Sequence, residues 1–202
     1  MDDNFTLKDI KNLIKIDNKL QFTDEANKLI DKLFVEQFGE LALEEFDYSH
    51  KLKHLIMFLS ADLDIEPVLL QYDEIKEDSI LLVDELPYGP YVVVNSKMII
   101  YELEVMKCLI HETRHYYQYH VINNNIEHPL KDLWIEDLEK TSLTHPENDE
   151  ELANHISLSV ELDAFAYTKY ILKLLYDIDY EVGGEEYTEV LDRYVEKYLL
   201  VD

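Results

Sequence analysis

The sequence predicts an α+β fold: N-terminal helices, a small twisted sheet beside one long helix, and long C-terminal helices. Three observations carry that expectation. Apolar residues recur at helical spacing through residues 1–64 and again after Glu102. Between Asp64 and Ile100 they gather instead in short runs punctuated by Pro67, Pro87, Gly89 and Pro90. Helices, then strands, then helices is a segregated order, unlike the alternation that builds a parallel α/β sheet. The change of texture after Asp64 divides the chain into an N-terminal helical region, 1–64, and a second domain, 65–202.

In chain order, Thr6 can cap a first helix, with Leu7, Ile10, Leu13, Ile14 and Ile16 as its apolar positions. A second helix starts near Thr23 and aligns Ala26, Leu29, Ile30, Leu33, Phe34 and Phe38. A third starts near Ser49 and turns Leu52, Leu55, Ile56 and Leu59 inward. Val68 to Leu70 and Ile80 to Val83 read as short strands. Tyr91 to Val94, the pair Asn95-Ser96, and Lys97 to Ile100 read as a strand, a turn and a returning strand. A long helical pattern then runs from Glu102 to about Val121 and ends in the polar stretch Asn123 to Glu127. Pro129 to Lys140 fits a short helix, and an acidic loop follows through Pro146 and Asp149. One long helix is expected from about Glu150 to Tyr176. Gly183-Gly184 opens a last amphipathic helix to Leu200.

Composition narrows the chemistry. The 202 residues are 47% apolar and 31% charged, enough to bury a substantial core. Lys+Arg number 18 and Asp+Glu 44, a formal net charge of −26 that repels phosphate backbones and anionic headgroups, so neither nucleic acid nor membrane is an expected partner. The four glycines leave no phosphate-cradling loop or nucleophile elbow, and the single Cys108 excludes a cysteine-cluster zinc site. The N-terminus has no signal-like apolar run, so the expected location is the cytoplasm.

Against this background, His111-Glu112-Thr113-Arg114-His115 is an H-E-x-x-H signature inside the 102–121 helix. Roughly 0.04 chance matches are expected for a chain of this composition, so the match carries weight. Residues four apart share one helix face, so two imidazoles can grip one zinc ion. The glutamate points about 100° away and can hold a water on the open side of the metal.

A hydrolytic zinc needs a third protein ligand. The short-spaced histidine option fails, because its position is occupied by Val121 and its glycine position by Gln118. The other source is a carboxylate on a second helix. The apolar centre of the 150–176 helix is interrupted by Glu161 and Asp163, and carboxylates there are costly unless paired, hydrogen-bonded or metal-bound. They stand about 200° apart around a helix. Glu161 is the favoured ligand, and Asp163 a supporting or helix-anchoring acid.

These residues resemble a known family. His111-Glu112-x-x-His115, followed about 45 residues later by Glu161-Leu-Asp-Ala-Phe-Ala166, is similar to the zincin-type metallopeptidases of the gluzincin kind, and within them to the small ImmA/IrrE-like group. The likeness covers residues 80–176. It implies a zincin-like domain in which His111, His115 and Glu161 bind Zn2+ and Glu112 is the general base. It also implies that the Val92-Val93-Val94-Asn95 strand lies beside the cleft, where it can pair with an extended substrate. In one alignment of the Phe-Ala pair, Ser159 falls where some members carry a glutamate.

The expected function is therefore zinc-dependent hydrolysis of a protein or peptide. The alternative is a non-catalytic regulatory or binding module on a metallopeptidase-like scaffold. Among other residues, Gln118 lies on the face of both motif histidines and can hydrogen-bond near them. Cys108 reads as a small packing residue, and His120 as a helix-end histidine. His155 falls off the Glu161 face. His50 and His54 are also four apart, but Lys51 and Lys53 surround them, so they read as surface residues. Tyr116, Tyr117 and Tyr119 beside the motif include a possible source of an oxyanion donor.

Overall fold

A computed structural model describes residues 15–16, 19–20, 22–40, 48–73, 81–83, 90–140, 154–182 and 185–200. The architecture is α+β. The chain divides into two compact units, 1–106 and 107–202.

In the first unit, β1 (Lys15–Ile16) and β2 (Lys19–Leu20) pair antiparallel. Ile16, expected at the end of a first helix, is thus a strand residue, and the Asp17-Asn18 pair that separates the strands is a turn-favouring sequence. The rest of that expected helix, 1–14, lies outside the described residues. Helix α1 (Asp24–Phe38) is capped by Thr23, whose hydroxyl accepts from the Ala26 amide at 3.2 Å, and it buries Ala26, Ile30 and Phe34. Helix α2 (His50–Leu63) is capped by Ser49 and buries all four residues expected to face inward. The two helices pack together.

The sheet has the order β3-β5-β4. The strand β5 (Tyr91–Asn95) runs parallel to β3 (Leu69–Asp73), with Leu70 opposite Val92, and antiparallel to β4 (Leu81–Val83). Central β5 buries Val92, Val93 and Val94, as expected of a strand covered on both faces. The Tyr48 hydroxyl is hydrogen-bonded to both the N–H and the C=O of Leu70, and its ring meets Phe34 edge-on, tying α1 to β3.

The strand expected over Lys97–Ile100 does not form. Those residues make a 3₁₀ turn (Ser96–Ile100) because the Asn95 side chain accepts from the Lys97 amide at 3.0 Å and closes the chain on itself. This local bond competes directly with a hairpin.

The second unit is helical. Helix α3 (Glu102–Asn123) begins in the first unit and carries the motif here. Helix α4 (Lys131–Lys140), α5 (Ser159–Tyr176) and α6 (Glu185–Tyr194, continued by a wider π turn at Val195–Leu199) complete it. Both α4 and α6 pack on α5. Val121, Leu130, Trp134, Val160, Ala166, Leu191 and Tyr194 form their shared core.

The long helix expected from Glu150 is interrupted. Residues 154–157 make a separate helical turn, Leu158 is extended (φ −65°, ψ 139°), and α5 starts at Ser159. Asp137 of α4 receives hydrogen bonds from both the amide and the hydroxyl of Ser159, which gives the first turn of α5 a cap from another helix. Residues 141–153, including the expected acidic loop, lie outside the described residues. No helix among those described is long and apolar enough to cross a membrane.

Candidate metal centre

Two helices build the site. On α3, His111 and His115 lie one turn apart, their rings meeting edge-on at 4.6 Å between centroids. On α5, Glu161 faces them, and Phe165, one turn further along, packs against the His111 ring at 4.5 Å. The three side chains offer ligand atoms that all lie within 4.8 Å of one another. His111 Nε2 is 3.0 Å from His115 Nε2 and 3.2 Å from Glu161 Oε2, and His115 Nε2 is 3.5 Å from Glu161 Oε1.

Those lengths bear on what fits. Ligand atoms about 2.0–2.1 Å from a tetrahedral zinc stand about 3.3 Å apart. The two Nε2 atoms stand 3.0 Å apart, and each has a different Glu161 oxygen near that spacing, Oε2 at 3.2 Å from His111 and Oε1 at 3.5 Å from His115. Glu161 is 3% exposed, and its buried Oε2 has no well-directed hydrogen bond. A buried carboxylate oxygen in that state is a feature a cation would satisfy. The donor set, two imidazoles and one carboxylate, also suits zinc chemically.

The electrostatics follow from the same contacts. Burial alone would raise the Glu161 carboxyl, but the imidazoles of His111, His115 and His155 hold it far below the usual carboxylate range. Burial likewise opposes charge on His115, yet the Glu161 carboxylate, with help from Glu112 and Gln118, lifts its imidazole to about 9. Glu112 is half-buried on the adjoining face of α3, and its charge acts on both the His115 ring and the Tyr119 hydroxyl.

Asp163 is as close to the motif in sequence as Glu161 but does something else. It is fully buried and takes a two-pronged pair from Arg114, Nε at 2.7 Å and Nη2 at 2.9 Å. It also accepts from Gln118 Nε2 at 2.8 Å and from the Tyr194 hydroxyl at 3.2 Å. The Arg114 guanidinium lies over the rings of Tyr117 (4.6 Å) and Tyr167 (4.8 Å). Asp163 therefore fastens α3 and α6 to α5. Both partners are paired and hydrogen-bonded, which makes burial of the charges tolerable.

Ser159 is committed to Asp137, so Glu161 is the glutamate that meets the histidines. His120 bonds its neighbour Asn124 at the end of α3, in keeping with a helix-end role.

Two residues depart from their sequence readings. His155 does reach the site: its Nε2 is 3.2 Å from Glu161 Oε2. On a continuous helix six residues' separation would turn it away, but the break at Leu158 re-aims it. Ser157 and Ser159, poor helix-interior residues that favour caps, were the signal for that break. His54, read as a surface residue, is 2% exposed. Lys53 is also buried, reaching Asp31 at 2.8 Å, while His50 remains half-buried on the same aspartate at 3.1 Å.

Comparison of the chain with protein-family models, with curated proteins and with solved structures returned no match.

Proposed function

We propose that the chain is a zinc-dependent peptidase with a zincin-like catalytic unit, acting on proteins or peptides in the cytoplasm. The observation that carries this reading is the convergence of His111, His115 and Glu161, whose ligand atoms all lie within 4.8 Å of one another on two facing helices. The adjoining Glu112 adds the group that a purely structural site has no use for.

In this reading the three side chains would hold the ion. A bound zinc would supply Lewis acidity there and bring the pKa of a coordinated water down to about 7. Glu112 takes the proton of the attacking water on its carboxylate and later delivers it to the departing amine, so it is base first and acid second. Tyr119, one turn beyond His115, has a hydroxyl that feels both Glu112 and Glu161, whereas Tyr117 is occupied beneath Arg114. Tyr119 is the donor best suited to a developing oxyanion.

Metal analysis after zinc-supplemented expression should find about one zinc per chain, and a protein free of transition metal would remove the foundation of the reading. Glu112→Gln then tests the chemistry. It should retain zinc and melting temperature while losing at least about 10²-fold in hydrolysis of peptides drawn from an unbiased library, or about 3 kcal/mol of barrier. Cleavage at the wild-type rate by this variant would refute the mechanism.

A further inference from the structure

We propose that Gln118 is a positioning residue of the metal centre: it fixes His115 with Nδ1 as the hydrogen-bonded N–H and Nε2 as the atom offered to the ion. The inference rests on the zinc reading above and extends it to a residue outside the ligand set. Gln118 sits on α3 three residues past His115 and is 2% exposed. Its side-chain amide has a single workable orientation. One end lies 2.9 Å from the carbonyl oxygen of Val160 and 2.8 Å from Asp163 Oδ2, two groups that can only accept there, so that end is the donating NH2. The other end, Oε1, is then an acceptor, and it stands 2.9 Å from His115 Nδ1. An acceptor facing Nδ1 requires a proton on Nδ1. In the neutral ring that metal binding needs, the lone pair is left on Nε2, the nitrogen turned toward His111 and Glu161.

The orientation is enforced from several elements at once. Asp163 is itself held by Arg114 from α3 and by the Tyr194 hydroxyl from α6. Gln118 therefore cannot flip its amide without placing its oxygen against a carbonyl and a carboxylate. Metal-binding histidines are commonly oriented by a partner on the far ring nitrogen, and loss of such a partner typically costs 10–100-fold in metal affinity. Here that partner comes from the motif helix, with its geometry guaranteed by α5 and α6.

The first test removes the acceptor. Gln118→Met keeps size and helix propensity, and should weaken zinc binding about 10–100-fold in a competition titration with a chelator. Zinc affinity unchanged in a folded Gln118→Met protein would reduce Gln118 to a packing residue and overturn the proposal. A second measurement needs no variant. In the zinc-loaded protein, a nitrogen-edited spectrum should show a slowly exchanging ring proton on His115 Nδ1. A proton on Nε2 instead would overturn the proposal even where zinc binds well. Failure of the unaltered protein to bind zinc would sink the metal reading itself, a result distinct from either of these.

Discussion

His50 and His54 stand one turn apart on α2, as His111 and His115 do on α3, yet the surroundings of the two pairs are opposite. Around α2, Asp31 reaches His50 at 3.1 Å and Lys53 at 2.8 Å, but the His54 ring nitrogens have no hydrogen-bond partner among the described residues. His54 is buried between Phe22 and Phe58. Burial pushes its imidazole down to about 4. On α3, both rings meet the same carboxylate from α5, and His115 is pushed up to about 9 despite its burial. One spacing has left His54 a solitary buried imidazole in one unit and brought two imidazoles onto one carboxylate in the other. Four-residue spacing places two rings side by side; the charge brought by a neighbouring helix decides whether they make a site.

The comparison breaks first at Glu161. Removing the carboxylate by Glu161→Ala should weaken zinc binding by about 10³-fold, or about 4 kcal/mol, since one of three ligands is lost. Asp163→Asn should leave most zinc binding intact and lower the melting temperature, because the buried Arg114 loses its counter-charge. A larger zinc loss in Asp163→Asn than in Glu161→Ala would transfer the ligand role.

A second effect is sharpened by pH. The folded pKa of His54 lies below its ordinary 6.5, so in the window from about 6.5 down to 4 the unfolded chain binds the proton and the folded chain does not. Stability therefore rises with pH across that window, and the contribution is complete above it. A difference of this size is worth at most about 3 kcal/mol at its acidic end. His54→Leu should abolish this dependence and raise the melting temperature more at pH 5 than at pH 7. A pH profile of thermal unfolding unchanged by the substitution would show that His54 is solvated.

The smallest expected effect is the most pointed. Lys51→Glu would write H-E-x-x-H into α2, between His50 and His54. It removes an exposed pair with Glu102 at 3.2 Å, worth no more than about 1 kcal/mol. No further equivalent of tightly bound zinc should appear in metal analysis, because among the described residues no carboxylate faces both rings of α2. An additional zinc bound as tightly as the first would show that spacing alone suffices.

Most helices were legible because their information is local. Thr23 and Ser49 cap the helices expected to start near them, and the buried positions of α1 follow the 3.6-residue period, whereas α2 buries every residue from Leu52 to Ile56. The sites of failure were also physical. The Asn95 side chain captured the Lys97 amide and replaced a hairpin by a 3₁₀ turn. A cap donated by Asp137, 22 residues upstream, split the long helix at Leu158 and turned His155 toward Glu161. Lysines on either side of His54 suggested exposure, but the aliphatic stem of Lys53 is buried and only its ammonium needs a partner, which Asp31 supplies.

By itself the sequence determined the residues able to do chemistry: two imidazoles and a glutamate on one helix, and two acids in an apolar helix far along the chain. It did so because angular relations within a helix are set by the backbone alone. Tertiary structure decided which acid meets the imidazoles and which pairs with Arg114. It also decided that Gln118 is locked by Val160 and Asp163, that His155 joins the cluster, and that His54 is left without a polar partner among the described residues. The choice of acid and the locking of Gln118 depend on the register between helices separated by some forty to fifty residues of chain. Packing sets that register, and no periodicity within either helix encodes it.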